Sequence, residues 1–126
     1  MYPNNGYNVY KTNSVNYASK DQMLLMLVDG AVKFSKIGRQ AIVDKDIQKA
    51  HNSLMRVQDI FTELIVSLDV EKAEWVKPLR DIYFFINEKV VEANITKDVK
   101  KMDEVLELIE GVRDLWHEAY KKSKSN

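Results

Sequence analysis

The sequence predicts an all-α fold, an antiparallel up-down-up-down four-helix bundle preceded by an extended N-terminal arm. Three observations predict it. Apolar residues recur at alternating steps of three and four through four long segments, which is the spacing of one helix face. Gly and Pro number only 4 and 2 in 126 residues, too few for the turns of a β-rich chain. The breaks between the segments are short and polar, so consecutive helices must fold back on one another. The length suits a single domain, and 45% apolar residues can furnish its core.

Taken in order, residues 1–17 form the arm. They carry five Asn, four Tyr and no Leu, Ile or Phe. Asn competes with the backbone for hydrogen bonds and disfavours helix interiors. The bundle is expected over residues 18–122, with a tail at 123–126. Helix 1 starts at Ser19, a capping residue with Gln22 three positions on, and runs to about Val43. Its expected core stripe is Met23, Leu27, Gly30, Phe34, Ile37 and Ala41. After the break Asp44-Lys45-Asp46, Asp46 caps helix 2, whose stripe is Ile47, Ala50, Leu54, Val57, Phe61, Leu64 and Leu68. Helix 3 begins near Trp75, because Pro78 is tolerated only in a first turn. Its stripe is Val76, Leu79, Tyr83, Ile86, Val90 and Ala93. Thr96 or Asp98 caps helix 4, which turns Met102, Val105, Ile109, Val112, Trp116 and Ala119 inward.

Composition excludes several functions. The 19 basic and 19 acidic side chains balance to a net charge of +0, whereas a nucleic-acid binder needs a cationic surplus. Lys121, Lys122 and Lys124 read as a solvated end. There is no Cys for disulfides or thiolate metal sites. The longest apolar run, Met23 to Val28, is far short of the roughly 20 residues of a membrane span. The start, Met1-Tyr2-Pro3-Asn4-Asn5, has no basic or apolar region, so no signal peptide is expected and the expected location is cytoplasmic.

No catalytic or cofactor constellation emerges, so neither enzyme activity nor a cofactor or metal is expected. A di-iron bundle would need two inward Glu-x-x-His pairs, and Asp114-x-x-His117 is a single near match. His51 lies one step from the core position Ala50, and the Asn52-Ser53 that follows it lacks the Lys-Gly pair that phosphotransfer modules usually place after their His. The four Gly are isolated, so no phosphate loop exists.

What stands out is surplus apolar surface. Beside the helix 1 stripe, Leu24, Val28 and Ala31 form a second row at helical spacing. Helix 3 adds Ile82, Phe84, Phe85 and Val91, and helix 4 adds Leu108 and Leu115. Exposed apolar rows of this kind mark partner surfaces, and Met side chains suit a surface that repacks.

The residues also resemble the FliS family of flagellar secretion chaperones. The resemblance is carried by Tyr10, Asn13-Ser14-Val15 and Ala18-Ser19 ahead of helix 1. Within helix 1 it continues through Leu24, Leu25-Met26-Leu27, Gly30 and Phe34. Gln58-Asp59-Ile60, Ser67-Leu68-Asp69 and Glu92-Ala93-Asn94 agree too. Lys20 stands where members often have Pro, and Val28 where they often have Tyr. The resemblance implies a bundle that binds the C-terminal segment of flagellin, with further partners in an export-gate component and flagellar regulators. Combined with the surplus rows, it makes Tyr10, Val15, Leu24, Val28, Ala31, Ile82, Phe85 and Val91 the expected partner-binding residues. No nucleic-acid or membrane partner is expected. Two rival readings are a phosphotransfer or signalling bundle using His51 or His117, and an oligomer, such as a weak homodimer, sealed by the extra apolar row.

Overall fold

Reciprocal hydrogen bonds at Ser19 set the start of the first helix. In the computed structural model, which describes residues 19–124, Gln22 N–H donates to Ser19 Oγ at 3.2 Å and Ser19 N–H donates to Gln22 Oε1 at 3.1 Å. This capping box opens α1, Lys20–Val43. Lys45, at φ 60°, turns the chain. Asp46 Oδ1 then accepts from Lys49 N–H at 3.2 Å and starts α2, Ile47–Ser67. A longer loop leads to α3, Val76–Thr96, with Pro78 in the first turn as expected. Lys97, at φ 53°, ends α3. Asp98 Oδ1 accepts from the N–H groups of Lys100 and Lys101 at 2.8 and 3.3 Å, opening α4, Val99–Lys124. Ser123 and Lys124, expected in the tail, are therefore helical. Ser123 Oγ donates to the Tyr120 carbonyl at 2.8 Å, and three lysines in the last turn complement the helix dipole.

Helix α1 packs on α2, α2 on α3, α3 on α4 and α4 back on α1, closing a four-membered ring. The stripes expected in α2 and α3 line its centre. Leu54, Val57, Phe61 and Leu64 meet Tyr83, Ile86, Val90 and Ala93, all fully or almost fully buried. Phe61 and Tyr83 meet edge to face, centroids 5.9 Å apart, a favoured aromatic geometry. Ile47 is exposed because it opens α2 at the bundle end, and Ala119 is exposed near the end of α4.

Helix α1 departs from expectation by one residue. Its inward face is Val28, Ala31, Val32, Ser35, Gly38, Ala41 and Ile42, so Val28 and Ala31, expected on the partner surface, are core residues at 1% exposure each. Of the row expected inside, Ala41 is buried as expected, whereas Gly30 and Phe34 are turned toward α2. Gly30 faces Ile60, and Phe34 lies under the Arg56 guanidinium at 4.6 Å. The cause is steric. The small residues Ala31, Ser35 and Gly38 let the neighbouring helices approach closely, while Leu27 and Phe34 pack at the flank.

Candidate functional site: an apolar track between α3 and α4

The four seams of the ring differ in chemistry. The α1–α4 seam is charged: His117 Nε2 lies 2.7 Å from Asp29 Oδ1, Arg39 Nε donates to Asp103 Oδ1 at 2.7 Å, and Lys36 lies 3.8 Å from Glu110. The α3–α4 seam is apolar. Ile82 and Phe85 of α3, and Leu108 and Leu115 of α4, are each 42–54% exposed along it. Ile82 and Phe85 lie one turn apart on α3, and Leu108 and Leu115 lie two turns apart on the same face of α4.

Three hollows follow one another as a track, the first two sharing Trp116 and the third farther along the α3–α4 seam. At the bundle end where α1 starts, a cleft of ≈ 500 Å³ has Met23, Leu24, Leu27, Leu68, Tyr83 and Trp116 among its lining residues, with Lys20, Asp21, Glu63 and Ser67 also present. Trp116 also lines the next hollow, ≈ 360 Å³, with Trp75, Pro78, Leu79, Ile82 and Leu115. Farther along the α3–α4 furrow, Phe85, Val105 and Leu108 line a third, ≈ 240 Å³, with Lys89, Glu92, Lys101 and Glu104. From Pro78 to Glu92 the furrow follows α3 for about 21 Å, at 1.5 Å per residue.

Charges mark its far end. Lys101 of α4 reaches Glu92 of α3 at 3.0 Å, and Lys89 stands 3.9 Å from the same carboxylate. The Lys101 hydrogen bond, its charge and that of Lys89 hold the Glu92 carboxyl below its ordinary pKa. At the other end the Trp116 indole N–H donates to the Tyr83 hydroxyl at 2.8 Å, and Trp75 meets Trp116 edge to face at 6.3 Å. Burial pushes the Tyr83 phenol pKa up, partly offset by the Trp116 hydrogen bond.

Of the expected site, Leu24 lines the end cleft, Ile82 the hollow beside it and Phe85 the third hollow along the seam. Val91 lies elsewhere. With Phe84 it shares the α3 strip of Asn94, whose amide reaches His51 of α2 at 3.3 Å, so that strip faces α2. Tyr10 and Val15 fall outside the described residues. Sequence reasoning missed Trp75 and the double role of Trp116, which it assigned to the core. A signal for Trp116 was available: an indole has one apolar body and one N–H needing a partner, so Trp favours half-buried boundaries.

The described residues hold no cluster of three or more His, Cys, Asp or Glu that could bind a metal. None of their helices is long and apolar enough to cross a membrane. The described residues thus form an all-α four-helix bundle with large apolar side chains exposed along its α3–α4 seam. The family "Flagellar protein FliS" matches residues 3–123, and the chain belongs to that family. It is 30% identical over 122 residues to the flagellar secretion chaperone FliS of Bacillus subtilis (strain 168), covering 97% of this chain and 91% of that protein. The protein of the same name from Campylobacter jejuni (serotype O:6) is 29% identical over 95% of this chain and 94% of its own length. That of Escherichia coli (strain K12) is 31% identical over 84% and 79%. A crystal structure of a flagellar chaperone from bacteria superposes with a TM-score of 0.69 at 16% identity, covering 89% of this chain and 98% of that one, and establishes the shared fold.

Proposed function

We propose that this protein is a cytoplasmic export chaperone that binds the C-terminal region of flagellin, prevents its premature polymerisation and delivers it for type III secretion, without a catalytic step. The observation that carries the reading is the open apolar track from the end cleft through the α3–α4 furrow. Membership of a family whose relatives are flagellar secretion chaperones supplies the class of cargo. The partner segment folds as it binds, laying an amphipathic helix along Ile82, Phe85, Leu108 and Leu115. Contacts with an export-gate component and flagellar regulators belong to the same reading and fall on surfaces left free by the cargo. Residues 1–17 serve as a removable cover of the end cleft, with Tyr10 and Val15 as anchors. Supporting this, the cleft is lined by Lys20 and Asp21, where the arm joins α1.

Titration calorimetry with a flagellin C-terminal fragment tests the proposal. Binding should show a large negative heat-capacity change from apolar burial, with about 2–5 kcal/mol of the gross gain offset by ordering of the partner. Weak salt dependence should accompany it, given the net charge of +0 and the apolar contact surface. No binding, or binding only to the central region of flagellin, would refute the reading.

A further inference from the structure

Tyr83 is wholly buried, and its hydroxyl receives the Trp116 N–H at the point where two hollows of the track meet. The ring beneath cannot drift, because Phe61 packs against it edge to face. Trp116 lines both the end cleft and the hollow formed by Trp75, Pro78, Ile82 and Leu115, so its indole is the wall the two share. A half-exposed indole on one helix would ordinarily exchange rotamers and turn its N–H to water. Here it is pinned at one end by the hydroxyl of a core residue and flanked by Trp75.

We propose that the Tyr83 hydroxyl is a positioning group for partner binding: it fixes the Trp116 indole as the dividing wall of the track and so pre-forms two separate apolar pockets. Tyr83 makes this contribution through Trp116. The inference rests on the track being the flagellin-binding surface. If the indole were released, the competent arrangement would be only fractionally occupied, and apparent affinity would fall by that fraction.

The discriminating variant is Tyr83→Phe, which removes one oxygen and keeps the ring packed on Phe61. Binding of the flagellin C-terminal fragment should weaken by about 2- to 12-fold, the range set by one hydrogen bond. Emission is read separately in a Trp75→Phe background, where Trp116 is the sole indole of the chain. There, Tyr83→Phe should shift emission to the red and lower its anisotropy. Circular dichroism checks that each variant keeps its helix content. Unchanged affinity with merely reduced stability would overturn the proposal, as would unchanged Trp116 emission and anisotropy. Failure of the unaltered protein to bind the fragment is a different outcome. It overturns the reading of the track as flagellin's site, and with it the role of Tyr83 in binding, whatever the fluorescence shows.

Discussion

Three glycines in helices offer a measurement of how closely α1 and α2 approach. An Ala at Gly111 would have no heavy atom within 4 Å among the described residues, so its Cβ enters open space. At Gly30 the Cβ would meet only the tip of Ile60, Cδ1, at 3.3 Å, and Ile60 is half-buried and able to shift. At Gly38 it would lie 2.7 Å from Leu54 Cδ2, 3.1 Å from Cγ and 3.4 Å from Ser53 Cβ. Leu54 is fully buried, so its side chain cannot swing out into solvent. Replacing a mid-helix Gly by Ala gains about 0.8–1 kcal/mol from helix propensity alone. Overpacking a filled core costs about 1–3 kcal/mol. Gly111→Ala should therefore stabilise by nearly the whole propensity gain, and Gly30→Ala by somewhat less. In Gly38→Ala the steric cost meets or exceeds the gain, leaving it about 1–3 kcal/mol below Gly111→Ala. Urea melts followed by circular dichroism, with unchanged m-values, would measure all three. Gly38→Ala as stabilising as Gly111→Ala would refute the close contact between Gly38 and Leu54, and with it the inward assignment of that face of α1.

Two further outcomes follow from the arm and from Tyr83. Removing residues 1–16 should tighten flagellin binding about 5- to 30-fold if the cover is worth roughly 1–2 kcal/mol. It should also promote self-association through the bared cleft; weaker binding both on deletion and in Tyr10→Ala, without self-association, would make the arm a direct contact instead. Because the folded-state pKa of Tyr83 is raised, the phenol is protonated in both states below the ordinary value of about 10. Above that pH the unfolded chain loses its proton first, so stability falls as pH rises toward the folded pKa. The alkaline loss should be smaller in Tyr83→Phe than in the unaltered protein, measured by urea melts between neutral pH and pH values above 10.

The helices themselves were legible because capping and periodicity are local. Ser19 with Gln22, Asp46, Pro78 and Asp98 each mark a boundary through a bond or a missing donor within three residues, and each boundary falls where that chemistry requires. The core of α2 and α3 was legible for a related reason. Each helix offers one dominant row of large apolar residues, and burying it is the strongest available term. Helix α1 offered two adjacent apolar rows about 100° apart, which sequence periodicity ranks almost equally. The row with the larger side chains, Leu27, Phe34 and Ile37, is the better choice by hydrophobicity. The row that won holds Ala31, Ser35 and Gly38, because α1 must meet α2 and α4 at once.

That choice also explains which half of the site could be read in advance. In α3 the surplus residues flank an unambiguous core row, so Ile82 and Phe85 had to remain outside and could be identified as surface without knowing their neighbours. In α1 the supposed surplus row was the core row. Its members sink inside wherever α2 and α4 close over them, at Val28 and Ala31, and emerge only where the bundle ends, at Leu24. Leu24 thus belongs to the track because of its position along the axis, a property that helical periodicity does not encode. The same holds for Trp116. Its angle on α4 assigns it to the core, but its height places it where the core opens, with its N–H reaching inward to Tyr83. A binding surface that begins at the end of a bundle and continues along one seam depends on two coordinates, angle and height. Sequence spacing supplies the first directly, and the second follows only from knowing which helix ends lie side by side.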